Sequence, residues 1–353
     1  MPLERVLIQR FRNLHAVDIE IGDALSWVVG PNAAGKTALL EAIYCLGRGR
    51  SFRGRRFGSL IEQGFSASRI QGWVRHPLGA SRIAWSSSAD ERAQHQGSGS
   101  TLPVRLICEW THALVDGEPA LRRRFVDWNL SLWERSAPAL FSRYRRLAAQ
   151  RNAWLRSGAG SSFGPPVWDR PYAEALAAVF EARARFFAAL VEAFHRLSGE
   201  ADWLTEIEPH WDGLVADRSE LLARLEQMRA ADRDRGFTYL GASRADFSFR
   251  SRGQPWLASR GQGKVAGIMI QLAAEAVVSA ADGRAAVWLV DDLDAELSPE
   301  WSARIMALLR RQPGQILVTA LPGKMPIDAS RAAEDAVFHV EHGRVEPADM
   351  HLS

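Results

Sequence analysis

Lysine is the scarcest charged residue in this chain. Of 353 residues 44 are Lys or Arg, yet lysine occurs only at positions 36, 264 and 324. Cysteine is rarer still: Cys45 and Cys108 lie far apart and form no CxxC pair. That argues against a disulfide framework or a cysteine-based zinc centre and fits a reducing cytoplasm. The nine histidines show no metal-ligand spacing and are assigned no role. No apolar run reads as the ~20 residues of a membrane span. Met1-Pro2-Leu3-Glu4-Arg5 is not a basic-then-apolar export leader. A membrane partner is therefore not expected. Charge of one sign is also missing: 44 basic against 41 acidic residues leave +3, so the balance alone does not select nucleic acid. What remains is a composition of 47% hydrophobic and 24% charged residues, enough for a large core and two subdomains.

One of the rare lysines sits in the most informative stretch. Gly30-Pro31-Asn32-Ala33-Ala34-Gly35-Lys36-Thr37 fits the phosphate-loop pattern G-x-x-x-x-G-K-[ST]. The apolar run Leu25–Val29 leads in as a buried strand, and residues 38–44 follow as a helix ending near Gly47. Glycines at 30 and 35 let the backbone wrap so that N–H groups hold phosphate oxygens, and the helix adds its positive end. Lys36 is placed to reach the β- and γ-phosphates of a nucleotide, with the Thr37 hydroxyl on Mg²⁺. In a chain so biased to arginine, a lysine here fits a site where a compact ammonium sits between phosphates and a planar guanidinium would not.

Residues 5–10 and 17–21 alternate as two strands of a hairpin around Asn13. The segment 47–56, GRGRSFRGRR, is too rich in Gly and Arg for a core element; it is either a solvated loop or a basic lip beside the nucleotide or DNA. Residues 68–74, 81–86 and 104–108 read as strands, and the polar stretch 86–101 as a flexible hairpin tip. From Leu121 the pattern turns helical, broken at 157–166 and resumed over 172–197 with Leu176, Val179, Phe180, Phe187, Leu190, Val191 and Phe194 at helical spacing. Arg122–Arg124 and Arg143–Arg146 form either a solvated face or a binding one. A single charged helix is expected over 219–231, a helix from about 264 to 278, a buried strand over 285–290, a helix over 299–311, and strands over 315–319 and 336–341.

The 285–290 strand ends in Asp291-Asp292, the expected partner of a phosphate loop: Asp291 for the Mg²⁺ shell, Asp292 for polarising an attacking water. Lys36 and Asp291 are some 255 residues apart, far more than one βαβ unit needs, so a domain is inserted between the halves of the site. Ser259-Arg260-Gly261-Gln262 stands before a helix. It reads either as an ordinary Ser N-cap or as a γ-phosphate sensor offering the Ser259 hydroxyl and free N–H groups.

Phosphate loop, inserted helical lobe, S-R-G-Q and D-D, in that order, resemble the ABC-type ATPases of the SMC branch, and within it the bacterial recombination-repair members. Phe11–Leu14, Leu39–Arg56, Arg122–Trp128, Tyr144–Asn152, Ser259–Gln262 and the Asp291-Asp292 strand carry the likeness, nearly end to end, with Arg244-Ala245-Asp246 in support. The resemblance implies an α/β fold: an ABC-type, SMC-like P-loop ATPase head with an inserted helical lobe. The lobes would run over 1–118, 119–235 and 236–353. It implies ATP with Mg²⁺ and a head-to-tail, ATP-dependent homodimer. In that dimer Ser259, Gly261 and Gln262 of one copy act on the nucleotide of the other. It also implies DNA as partner, gapped or at single-strand/double-strand junctions, together with RecR and RecO-type proteins that help load RecA. Weak DNA-stimulated hydrolysis would use Asp292 and Ser259. The chain departs from the family at Ala33, usually Gly; at Ser243, usually His; and at Ala295 and Ser298, where the family has Ser and Asp within S-E-L-D. Alanine at 33 should alter the loop if that residue needs a positive φ, and the changes at Ala295 and Ser298 bear on hydrolysis and on coupling between sites, not on nucleotide binding. No Q-loop glutamine is recognisable near 110–115. Two rival readings are a non-hydrolysing ATP-binding module and the energy subunit of a transporter; Arg260, where a transporter signature has Gly, argues against the second.

Overall fold

A computed structural model describes residues 2–54, 57–76, 79–88, 94–97, 102–157, 167–213, 217–323 and 335–348. They fall into two compact units, Met1–Thr111 with Gly283–Ser353, and His112–Asp282. The sequence reading draws the seams near 119 and 236; the structure draws them at 112 and 283. The shift arises because residues 236–282 are tied to the helical segment by packing and ion pairs described below. Elements are numbered in chain order.

In the first unit β1 (Leu3–Phe11) and β2 (Leu14–Glu20) make the expected hairpin. With β4 (Ala67–His76), β5 (Gly79–Ser88) and β6 (Gln94–Gly97) they form an antiparallel sheet in the order β2-β1-β4-β5-β6. β6 lies in the stretch expected to be a loose tip. Its residues are polar because it is an edge strand, and His95 Nε2 bonds the Leu46 carbonyl at 2.6 Å. The second sheet has the order β14-β13-β3-β12-β11-β7. β3 (Leu25–Val29), β7 (Val104–Ile107), β11 (Val287–Val290), β12 (Gln315–Ala320) and β13 (Ala336–Glu341) run parallel, with β14 (Arg344–Pro347) antiparallel at the edge. All four residues of β11 are buried, the continuous apolar reading of a central parallel strand.

One helix, α1 (Lys36–Arg48), fills the space between the sheets. Leu39, Leu40, Ile43 and Leu46 share a core with Val6, Ile8 and Ile70 on one side and Val28, Leu289 and Leu317 on the other. Each such side chain contributes about 1.5–3 kcal/mol by burial. Gly47, read from sequence as the start of a loop, is instead a buried helical residue. A Cβ there would sit 2.3 Å from Val104 Cγ2, so only glycine lets α1 approach β7. α10 (Pro299–Arg310) starts at Ser298, whose hydroxyl accepts from Trp301 N at 3.4 Å as an N-cap.

The second unit holds α2 (Ala113–Asp116), α3 (Pro119–Trp133), α4 (Ala137–Arg156), α5 (Asp169–Ser198), α6 (Asp202–Thr205), α7 (Arg218–Gln227), α8 (Arg229–Arg235) and α9 (Arg260–Asp282). A small sheet accompanies them, with β9 (Phe247–Ser251) between β8 (Ile207–Trp211) and β10 (Gln254–Pro255). α5 is the axis: Leu176, Val179, Phe180, Phe187, Leu190 and Phe194 are buried as their spacing predicts, against α4, α7, α9 and β8. The single helix expected over 219–231 divides at Met228 into α7 and α8. α9 differs from the sequence reading in another respect. Its Arg260–Ala281 stretch, with mean hydropathy 1.4, is long and apolar enough to cross a membrane, but 78% of that window is buried within the fold.

Of the arginines offered as a solvated or binding face, Arg122 is an internal tie, and so are two further arginines of this unit, Arg151 and Arg183. Arg122 donates to Asp246 at 3.0 and 2.7 Å, and Arg183 to Asp127 at 2.7 and 2.8 Å. Arg151, fully buried, donates to Asp169 at 2.7 Å and to Asp232 at 3.0 Å. Buried charge is tolerated when paired in this way. Arg145 and Arg146 do lie exposed on α4.

Candidate nucleotide site

The loop from Gly30 to Thr37 is held by its neighbours on two sides. Gly30 passes so close to β13 that a Cβ would stand 2.1 Å from the Val340 carbonyl oxygen. Asn13, at the tip of the β1–β2 hairpin, donates through Nδ2 to Ala33 O at 3.2 Å, and Gly343 N donates to Ala34 O at 2.9 Å. Ala33 is therefore fixed at φ +63, in the left-handed region that disfavours a Cβ. The sequence raised this possibility for position 33, and the loop takes that conformation with alanine in place.

α1 opens at Gly35, φ +125, with no side-chain cap hydrogen bond and no acidic residue in its first turn. Its leading N–H groups and its positive end are thus left for an anion. Lys36 curls over the loop and donates through Nζ to the carbonyls of Gly30 at 2.8 Å and Pro31 at 2.9 Å. Burial lowers its pKa, while Asp291 and Asp292 pull it back up.

The remote halves of the chain meet at Thr37. Its Oγ1 donates to Asp291 Oδ1 at 3.1 Å, across 254 positions of sequence. Adjacent ligands of an octahedral Mg²⁺ with bonds of 2.0–2.1 Å stand about 2.9 Å apart, so this oxygen pair has the spacing and hardness to hold that ion. Burial raises the Asp291 pKa, opposed by the hydrogen bonds from Thr37 and Thr319. Thr319, at the end of β12, was not singled out by sequence. Its Oγ1 donates to Asp291 Oδ1 at 3.0 Å and accepts from Asp292 N at 3.0 Å, orienting the Asp291 carboxylate and pinning the backbone at Asp292. Asp292 is exposed and held at φ +51, and Glu296 at φ +70; the turns of 291–298 therefore carry backbone strain beside the loop.

These groups line a cleft of about 910 Å³ within the first unit, which also presents Asn32, Gly35, Ala295, Phe52, Arg53 and Trp110. Such a volume suits a nucleotide. Phe52 and Arg53 give the basic lip of the sequence reading a place at the cleft. Its neighbour Ser51 bonds the Glu41 carboxylate, and Glu41, fully buried, takes two bonds from Arg12 at 3.0 and 2.8 Å. Sequence missed this Arg12–Glu41–Ser51 tie, whose members are spread over three elements. Trp110, 56% exposed, stands where a Q-loop was sought.

Ser259, Gly261 and Gln262 belong to the second unit. Ser259 N donates to Gln262 Oε1 at 3.1 Å and Gln262 N to Ser259 Oγ at 3.3 Å, a reciprocal capping box at the start of α9. The N-cap reading of Ser259 is therefore realised, on an exposed residue.

A parallel core sheet joined to an antiparallel one around a phosphate-loop helix, with an inserted helical unit, defines an SMC-like, ABC-type ATPase head. Residues 2–346 match the family described as RecF/RecN/SMC N terminal domain. Within it, the DNA replication and repair protein RecF of Pseudomonas fluorescens Pf0-1 is 31% identical over 370 residues, covering 99% of this chain and all of the relative. That of Chromohalobacter salexigens is 32% identical over 365 residues, 98% of this chain and 99% of the relative. The chain belongs to the RecF family. Among solved structures, the recombination mediator protein RecF with ATP, from the RecFOR pathway, shares the fold at TM-score 0.85 and 21% identity, covering 99% of this chain and 98% of that one. An Smc head bound to the C-winged helix domain of ScpA gives TM-score 0.52 at 13% identity, with 99% of this chain and 98% of that one covered.

Proposed function

We propose that this protein is an ATP-gated, DNA-binding clamp of recombinational repair in the cytoplasm. The observation that carries the reading is the meeting of Thr37, Asp291 and Thr319 at the foot of the phosphate loop. ATP would lie along residues 30–37, with Lys36 leaving its loop carbonyls for the β- and γ-phosphates. Thr37 and Asp291 would hold Mg²⁺, which neutralises phosphate charge when bound. Asp292 would orient water for slow hydrolysis. Ser259, Gly261 and Gln262 of a second copy would close on the γ-phosphate, so ATP favours the dimer by binding it better than the monomer. Gapped or junction DNA, RecR and RecO-type proteins are the partners this reading carries, with RecA loading as the outcome; the names of the relatives support it.

The test is gel filtration with and without Mg-ATP. The wild type is expected to shift to a dimer with ATP, and Ser259→Arg to stay monomeric while still binding ATP. A wild type that elutes unchanged would remove the clamp reading. The strained alanine at position 33 favours a second reading, in which ATP is a structural ligand only; phosphate release no faster than a buffer blank in the presence of DNA would select it.

A further inference from the structure

Residues 236–240 form a locked strip on the surface of the second unit. Gly236 ends α8 at φ +73, and Arg156 Nη1 donates to its carbonyl at 3.4 Å. Beneath the strip, Thr238 N donates to Asn152 Oδ1 at 2.8 Å, Arg151 Nη1 donates to Thr238 Oγ1 at 2.6 Å, and Tyr239 N donates to Asp232 Oδ1 at 3.0 Å. Leu240 is buried as well. The side chains between these anchors go outward: Phe237 is 46% exposed and Tyr239 41%. The Arg244 guanidinium carbon lies 3.7 Å from the Tyr239 ring centre, and that of Arg235 lies 5.2 Å away. Among the described residues Arg244 makes one further bond, Nε to Tyr239 O at 3.4 Å, and Arg235 reaches only the buried Asp232, at 3.9 Å.

Two exposed rings on a rigid backbone, framed by guanidiniums whose one carboxylate lies underneath, are not a core feature. Pinned aromatic side chains lose little entropy on binding. Arginines stacked on a ring keep their N–H forks for phosphate oxygens. Unpaired bases offer faces to rings while their phosphates take the cations; a duplex hides those faces in its own stack. We propose that the Phe237–Tyr239 strip, with Arg235 and Arg244, binds single-stranded nucleic acid, bases on the rings and phosphates on the guanidiniums. This deepens the DNA part of the proposed function by assigning a surface to the single-stranded side of a gap.

The experiment is fluorescence anisotropy on the full chain without nucleotide, using a labelled thymidylate 15-mer and a 15-base-pair duplex. Phe237→Ala and Tyr239→Ala are each expected to weaken single-strand binding about tenfold, with duplex binding within about twofold. Arg244→Gln should lower the salt slope by about 0.7. Tyr239→Trp should keep the affinity, which separates stacking from a folding defect. Ring variants that bind the 15-mer like wild type, or lose duplex binding in step, would overturn the proposal. So would wild type whose strip is competed by polyglutamate while the ring variants keep full oligonucleotide affinity, an outcome assigning the strip to an acidic protein segment. Lys36→Ala should leave thymidylate binding intact, so failure of the ATP reading and failure of this one are told apart.

Discussion

The phosphate-loop cleft and the arginine network of the helical unit are both built from charge, and they treat it in opposite ways. Around Arg151 charge is paired with charge: two carboxylates and the Thr238 hydroxyl take hydrogen bonds from Nε and Nη1 of one guanidinium, and only its Nη2 is left without one. Around Lys36 and Asp291 charge is desolvated without a full match, and the backbone is strained at Ala33 and Asp292. The first arrangement spends its interactions on holding the fold. The second keeps them in reserve for a ligand, as sites do at some cost to stability.

The contrast can be broken most forcefully at Arg151. Arg151→Ala removes the guanidinium that buried Asp169 and Asp232 share, leaving them, among the described residues, only the hydrogen bonds from Arg229 and the Tyr239 N–H, and should destabilise the chain by about 3–5 kcal/mol in urea unfolding. A loss below 1 kcal/mol would mean the network is not structural. Lys36→Ala should behave oppositely. Calorimetric titration is expected to find ATP binding weakened about a hundredfold, from lost charge-assisted hydrogen bonds, with unfolding shifted by less than about 1 kcal/mol. Asp291 sharpens the comparison through pH. Its folded-state pKa is raised, so the stability it lends is present below the ordinary carboxylate range and fades as pH rises through the raised value. Asp291→Asn should therefore be more stable than wild type at neutral pH, by an amount on the order of 1 kcal/mol, with the difference closing in acid; thermal melts across pH measure it. Smallest is Ala33→Gly, expected to stabilise by up to about 1 kcal/mol by relieving a left-handed alanine. Unchanged melting would mean the loop relaxes without its hairpin brace.

The same contrast explains what could be read from sequence. The phosphate loop is a contiguous motif whose strand and helix carry local periodicity, so its residues were legible, as was the capping chemistry at Ser259. Thr319 and the Arg12–Glu41 tie were not, because each is defined by a partner on another element. The arginines of the helical unit could not be sorted into surface and interior either: Arg122 finds Asp246 across 124 positions and Arg183 finds Asp127 across 56. The seams at 112 and 283 follow from those ties rather than from any change in composition.

The place of β3 in its sheet has a bearing on synthesis. Both strands that flank it, β12 and β13, are translated after residue 314. Until residues 315–341 have been made, the strand feeding the phosphate loop lacks the two strands that flank it in the sheet, and Thr319 is missing from beside Asp291. A nascent or prematurely terminated chain thus has no assembled nucleotide cleft, however well its helical middle has folded. Nucleotide binding therefore waits on strands that follow residue 314.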